Sequence, residues 1–212
     1  MRMLYHHTLL ADARKVRLAL GEKRLEFMEQ SIEPWHRDDD LLVLNPAGKV
    51  PVLVDEDGIT VCGANTICEY LDEVYAEPPL LGHSPAARAE ARRLADWFDK
   101  NFHDEVTRYL AGEKLMRRMS ENAAPDSRAL RAGRENIHTH LQYIAWLTER
   151  RSWLAGDHVT IADISAAANI SLVDYCGDEW YVRFKSRPCI RPLLRDVIGN
   201  IPPARIYDDL DF

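Results

Sequence analysis

Side chains able to do chemistry are spread along this 212-residue chain rather than gathered into one motif. The four cysteines, Cys62, Cys68, Cys176 and Cys189, form no CxxC pair and no zinc spacing, so a reduced, cytoplasmic protein is expected. Cys62 precedes a predicted helix and reads either as a reactive thiol at a helix N-terminus or as a small buried residue. His138 and His140 are two apart on a predicted helix and point to different faces, which disfavours a metal pair. Asp99 and His103 stand at i and i+4 without further ligands, as a solvated pair would. Arg128, Arg131 and Arg134 make a basic helical stripe, either a solvated face or a partner surface. Trp35-His36-Arg37, after Pro34, joins a ring that is hard to bury to two basic groups. Tryptophan and arginine are typical binding anchors; the alternative is a tryptophan packed over a domain interface.

Positioning these groups falls to two kinds of segment. The first alternates: Met3 to His6 is a predicted strand, Asp12 onward a helix with Ala13, Val16, Ala19 and Leu20 at helical spacing, and Leu25 to Ile32 a second strand. Leu41 to Leu44, after Asp38-Asp39-Asp40, is a short helix stopped by Asn45-Pro46. Pro51–Val54 and Ile59–Val61 flank Asp57-Gly58, a hairpin signal. Ala64, Ile67, Tyr70, Leu71 and Val74 then form one helical stripe. The order is βαβαββα. Beyond the proline-rich stretch from Glu77 to Pro85 only helical patterns follow: Ala91 to Leu110, Leu130 to Leu147, Ile161 to Tyr175, and a fourth face of Leu193, Leu194, Val197 and Ile198 begun near Pro188. Thr160-Ile161-Ala162-Asp163 has the form of a capping box. The expected organisation is an α/β N-terminal domain at 1–77, a linker at 78–86, an all-α domain at 87–198 and an extension at 199–212.

Composition narrows the function. Lys plus Arg is 27 against 34 Asp plus Glu, giving a net charge of −7. That balance is poor for a phosphate-backbone binder, so no nucleic-acid partner is expected. No apolar run approaches the roughly 18 residues of a membrane span, so no membrane insertion is expected. Met1 to His7 is too short and polar for a signal peptide.

An N-terminal βαβαββα unit followed by helices is the plan of the glutathione S-transferases, whose first domain is thioredoxin-like. The chain resembles that family in Leu4-Tyr5, in Arg14 to Leu20, in Asn45-Pro46-Ala47-Gly48-Lys49-Val50-Pro51-Val52-Leu53, and in Gly156-Asp157 with Thr160 to Ile164. The resemblance implies a cis bond before Pro51 and a glutathione groove bordered by Leu10, Lys49, Val50, Pro51, Gly63 and Ala64.

Two positions depart from the family's chemistry. The Ser or Cys that activates the glutathione thiol corresponds to Leu10, which has no donor. The Tyr-type slot falls at about His6, with Tyr5 one residue away and turned to the other face. Thr8 is the one hydroxyl in the loop and the alternative catalyst. The Glu-Ser or Gln-Ser that binds the γ-glutamyl group corresponds to Gly63-Ala64, which has no polar side chain. These losses imply a protein that kept the fold, needs no cofactor and lost the glutathione reaction; the alternative is an active transferase with glutathione bound.

The missing anchors, the Trp35 loop and the tail Arg205 to Phe212 are similar to the GST-like cell-division factors of alphaproteobacteria, which bind the tubulin homologue FtsZ. That likeness implies a homodimer with FtsZ as partner, recruited from the cytoplasm to the division site. The contact residues it points to are Trp35, His36, Arg37, Asp209, Asp211 and Phe212.

Overall fold

The computed structural model describes residues 1–33, 35–36, 38–177, 189–198 and 200–204. Strand β1 (Arg2–His6) alternates buried and half-buried positions, with Leu4 fully enclosed. It pairs in parallel with β2 (Phe27–Ser31) and antiparallel with β3 (Val52–Val54). β3 pairs antiparallel with β4 (Thr60–Cys62), closing a sheet of order β2-β1-β3-β4. The Asp-Gly turn forms as expected. Gly58 sits at φ +78° and donates to the Asp55 carbonyl at 2.9 Å, while Asp55 donates to Ile59 at 2.9 Å. A positive φ costs glycine nothing.

Helix α1 (Ala11–Glu22) joins β1 to β2 and packs on α3 (Ala64–Val74) and on a helix of the second domain. Short α2 (Asp39–Leu44) starts at Asp38, whose carboxylate accepts the Leu41 N–H at 2.9 Å. Tyr5 packs in a small cluster with Ile32, Leu41 and Val52, a core position rather than a catalytic one.

The second domain begins at α4 (Pro85–Asp96), inside the expected linker, with Ser84 accepting from the Ala87 N–H at 3.1 Å. The helix continues without a break through a wider, π-wound stretch, α5 (Trp97–Met116), into α6 (Arg117–Glu121). Asn122 ends it at φ +50°. α7 (Ser127–Thr148) lies on α5. A Cβ at Gly133 would fall 2.9 Å from that of Tyr109, so glycine sets how closely the two helices approach.

α8 (Ile161–Tyr175) is buried along its whole length. Its capping box is present: Asp163 accepts from the Thr160 N–H at 2.9 Å, and its other oxygen takes the Leu154 N–H at 2.9 Å. The expected fourth helical face is only partly realised. α9 (Arg191–Leu194) stops after one turn, and Val197 is exposed while Ile198 is buried. The chain there turns back in a bridge between Ile198 and Ile201, which no helical stripe can satisfy. Among the described residues no helix is long and apolar enough to cross a membrane, and no cluster could hold a metal ion.

Candidate functional site

Sheet register decides which loops meet. β1 and β2 run parallel, and Tyr5 pairs with Val52 while Val52 pairs with Cys62. The C-terminal ends of β1, β2 and β4 and the N-terminal end of β3 therefore share one end of the sheet. The turn His7 to Leu10, the Glu33–His36 loop, Pro51 and Gly63-Ala64 are brought together there. The Val50–Pro51 bond is cis, as the resemblance implied. The Pro51 carbonyl accepts the Gly63 N–H at 3.0 Å, joining two walls of the groove. Asn45 shapes the loop between them, donating from Nδ2 to the Lys49 carbonyl at 2.7 Å and accepting from the Ala47 N–H at 3.1 Å. Lys49 is exposed and Val50 half-buried.

Leu10 is the N-cap of α1 and makes no side-chain cap bond. An N-cap is where Ser, Thr, Asp or Asn is favoured, so leucine here forgoes both a cap and a thiol donor. Thr8 is half-buried, and its carbonyl accepts from Arg14 Nε at 2.9 Å. Gly63 is the N-cap of α3, at φ +88° and without a side chain to cap it. Ala64 behind it is buried. The end of the sheet thus presents backbone but neither of the polar side chains that glutathione chemistry uses.

Trp35 is half-buried and packs against the main core, with its ring edge-on to His7 at 5.4 Å. Its Nε1 donates to Glu33 Oε2 at 3.2 Å, and His36 Nδ1 lies 2.9 Å from the same oxygen. One carboxylate therefore fixes both rings at the rim of the groove. Burial lowers the pKa of His7, whose Nδ1 accepts the Leu9 N–H at 3.2 Å. His6 is pushed down to about 4, first by burial and then by the nearby Arg17 charge. Arg37, and Asp209, Asp211 and Phe212 of the tail, lie outside the described residues.

Cys62 closes β4 rather than opening α3, and its thiol faces the Leu44 carbonyl at 3.7 Å. Burial raises its pKa, the opposite direction from the one that activates a thiol. Asp99 and His103 do not pair in solvent as expected. Asp99 accepts from Lys15 Nζ at 2.5 Å, and His103 Nδ1 lies 3.3 Å from Asn169 Oδ1. His138 is exposed and His140 buried, on different faces.

The groups that sequence reasoning missed are the cations of α1. Arg14 and Lys15 are 0% exposed and Arg17 is 6%. Arg14 Nη1 donates to Ser171 at 2.9 Å, and its guanidinium lies 5.9 Å from the Tyr175 ring. Lys15 bonds Asn65 of α3 as well as Asp99 of α5. The second turn of α1 is thus a polar clasp between the two domains, directly behind the groove. One signal was available: Ala13, Val16, Leu18, Ala19 and Leu20 leave the helix no solvent face, so the basic residues between them had to be buried too.

Residues 13–74 match the model of the glutathione S-transferase N-terminal domain. The whole chain is 46% identical to FtsZ-localized protein A of Caulobacter vibrioides, covering 98% of that protein. The chain belongs to the glutathione S-transferase family. Within that family it superimposes on a glutathione S-transferase from Rhodospirillum rubrum with a TM-score of 0.96 and 55% identity, both chains covered completely. FzlA from C. crescentus superimposes with a TM-score of 0.94 and 46% identity, over 100% of this chain and 99% of that one. The family's fold is therefore present, thioredoxin-like domain and helical domain alike.

Proposed function

We propose that this protein is a non-catalytic member of the glutathione S-transferase family that acts in bacterial cell division by binding FtsZ filaments. The observation that carries the reading is the end-to-end identity with FtsZ-localized protein A. Leu10 at the activator position and Gly63-Ala64 at the γ-glutamyl anchor support the non-catalytic part. No cofactor is required.

One contact surface is the rim of the groove at Trp35 and His36; Arg37, next in the sequence, and Asp209, Asp211 and Phe212 of the tail are the further contact residues of this reading. The protein works as a symmetric homodimer, with α3 of one subunit against the long helix α4–α6 of the other. Two copies of each contact surface allow crosslinking of filaments. The dimer is cytoplasmic and is recruited to the division site. The deciding experiment is co-sedimentation with polymerised FtsZ. Saturable pelleting supports the reading, and a protein that stays in the supernatant at micromolar concentration overturns it.

A second reading, glutathione conjugation with Thr8 as donor, is favoured by the likeness to the Rhodospirillum rubrum protein, itself called a glutathione S-transferase. Turnover of a standard electrophile that Thr8→Val abolishes would establish it.

A further inference from the structure

The guanidinium of Arg14 is shared by two segments far apart in the chain. Toward the groove, Nε donates to the Thr8 carbonyl at 2.9 Å. Thr8 lies in the turn from His7 to Leu10, where the Leu10 N–H returns to the His7 carbonyl at 3.1 Å and the Leu9 N–H to His7 Nδ1 at 3.2 Å. His7 in turn meets the Trp35 ring edge-on at 5.4 Å. The turn, and through it the groove rim, is seated on Arg14.

Away from the groove, the same guanidinium holds the end of the helical domain. Nη1 donates to Ser171 Oγ at 2.9 Å, Nη2 lies 3.8 Å from Asp196, and the centre of the Tyr175 ring is 5.9 Å away. Tyr175 carries the segment that leads to the tail. Its hydroxyl accepts the Ile198 N–H and donates to the Ile201 carbonyl, and its own carbonyl accepts the Ala204 N–H at 3.1 Å. A Cβ on Gly177 would fall 3.3 Å from that of Ala204, so this segment is also packed on the end of α8. The tail, Arg205 to Phe212, follows Ala204 directly. Arg14, Ser171 and Tyr175 are each at most 1% exposed, so no solvent replaces a partner that moves away.

We propose that Arg14 is a positioning residue that couples the groove rim to the root of the C-terminal tail, so that ordering either one orders the other. The donors of a guanidinium sit in a fixed planar fork, so a shift of one partner displaces the fork from the rest. Packed interiors pass such shifts on instead of absorbing them. Coupling of this kind is reciprocal: a partner that stiffens the rim stiffens Ala204, and one that holds the tail stiffens the turn at Thr8. Its use at a filament rests on the reading of rim and tail as FtsZ contacts. The coupling itself belongs to the free chain.

Amide hydrogen exchange on the full chain without partner tests the coupling. Tyr175→Phe removes the hydroxyl that holds Ile198 and Ile201, at the tail end. It should quicken exchange at Leu9 and Leu10, at the groove end, by about fivefold or more. His7→Ala, which loosens the turn, should quicken exchange at Ala204 by a similar factor. Tyr75→Phe removes a hydroxyl bound to Arg2 and Asp55, at the other end of the sheet, and should change neither site. In an Arg14→Met background Tyr175→Phe should no longer reach Leu9 and Leu10. Where Arg14→Met does not fold, Arg14→Lys keeps the charge, lacks the fork and should give the same loss. Leu9 and Leu10 that ignore Tyr175→Phe while Ile198 quickens would overturn the proposal. So would a cross effect that persists without Arg14, or equal quickening at the hairpin amide of Gly58, which marks a global loss of stability. None of these readouts involves FtsZ, so failure to pellet with FtsZ overturns the functional reading and leaves the exchange result to decide the coupling.

Discussion

Arg17 and Asp196 lie 179 positions apart and meet in a bidentate pair at 2.6 and 3.0 Å. Arg14 approaches the same carboxylate at 3.8 Å, and Glu29 lies 2.5 Å from Arg17 Nε. One acid from the segment after α9 thus neutralises two buried arginines of α1. It fastens the C-terminal end of the helical domain to the first domain. Tyr175 fastens the same segment from the other side. Its hydroxyl accepts the Ile198 N–H at 2.9 Å and donates to the Ile201 carbonyl at 2.7 Å.

Removing one member of a buried pair leaves the other charge without compensation, at a cost of about 3–5 kcal/mol. Asp196→Asn is expected to lower stability by that order in a denaturant titration. Arg17→Met with Asp196→Leu removes both charges and should lose less than the sum of the two single changes. Additive losses would mean that the two groups do not interact.

Stability should fall with acid through His6. Its folded pKa, about 4, lies below the unfolded value near 6.5. Between those values the unfolded chain binds the extra proton, so stability is complete above about pH 6.5 and drains away as pH falls toward 4. The loss from this group is about 1.5 kcal/mol between pH 6.5 and 5. His7, lowered by burial, acts in the same direction. His6→Gln should flatten the slope of melting temperature against pH in that window. An unchanged slope would remove His6 as its source.

Trp35→Ala is expected to weaken FtsZ co-sedimentation by about thirtyfold, the worth of roughly 2 kcal/mol at an interface anchor. Because the ring packs on the core and on His7, the variant should also melt lower. Glu33→Gln separates the two effects. It keeps the indole but weakens the acceptor shared by Trp35 and His36, so affinity should drop with little change in melting. Lower melting with full affinity in Trp35→Ala would make the residue core alone.

Local signals in the sequence were strong where the chemistry is local. Asp57-Gly58 specified its hairpin, and Thr160 with Asp163 specified the start of α8, because each is satisfied within a few residues. The cis bond before Pro51 was legible because a motif surrounds it. The polar clasp was not. Lys15 is paired with Asn65 and Asp99, and Arg17 with Asp196, partners that only the tertiary fold brings near. The end of α9 was misread for the same reason: its apolar pattern continues to Ile198, but the carbonyl and N–H groups there are taken by Tyr175 and a chain reversal.

The proposed loss of glutathione chemistry can be tested by supplying the groups one at a time. Leu10→Ser supplies an N-cap to α1, worth about 1 kcal/mol, or roughly 2–4 °C of melting temperature in a chain of this size. The same hydroxyl stands at the position from which the family activates the glutathione thiol. Conjugation of a standard electrophile should nevertheless stay at background, because Gly63 and Ala64 give the γ-glutamyl group nothing to hold. Adding Ala64→Ser returns one donor at the first turn of α3. Gly63→Gln returns the second group but places a side chain at φ +88°, a strain of about 1–3 kcal/mol, although its Cβ would meet only Thr66 Oγ1, at an ordinary 3.9 Å. Glutathione binding should therefore appear only in the triple variant, which should melt below Leu10→Ser alone. A missing donor costs about 10²–10³ in rate, so the parent should lie at least that far below ordinary transferases. Turnover in the parent at ordinary rates would reverse the functional assignment. Turnover in Leu10→Ser alone would show that the anchor is supplied by other residues of the groove.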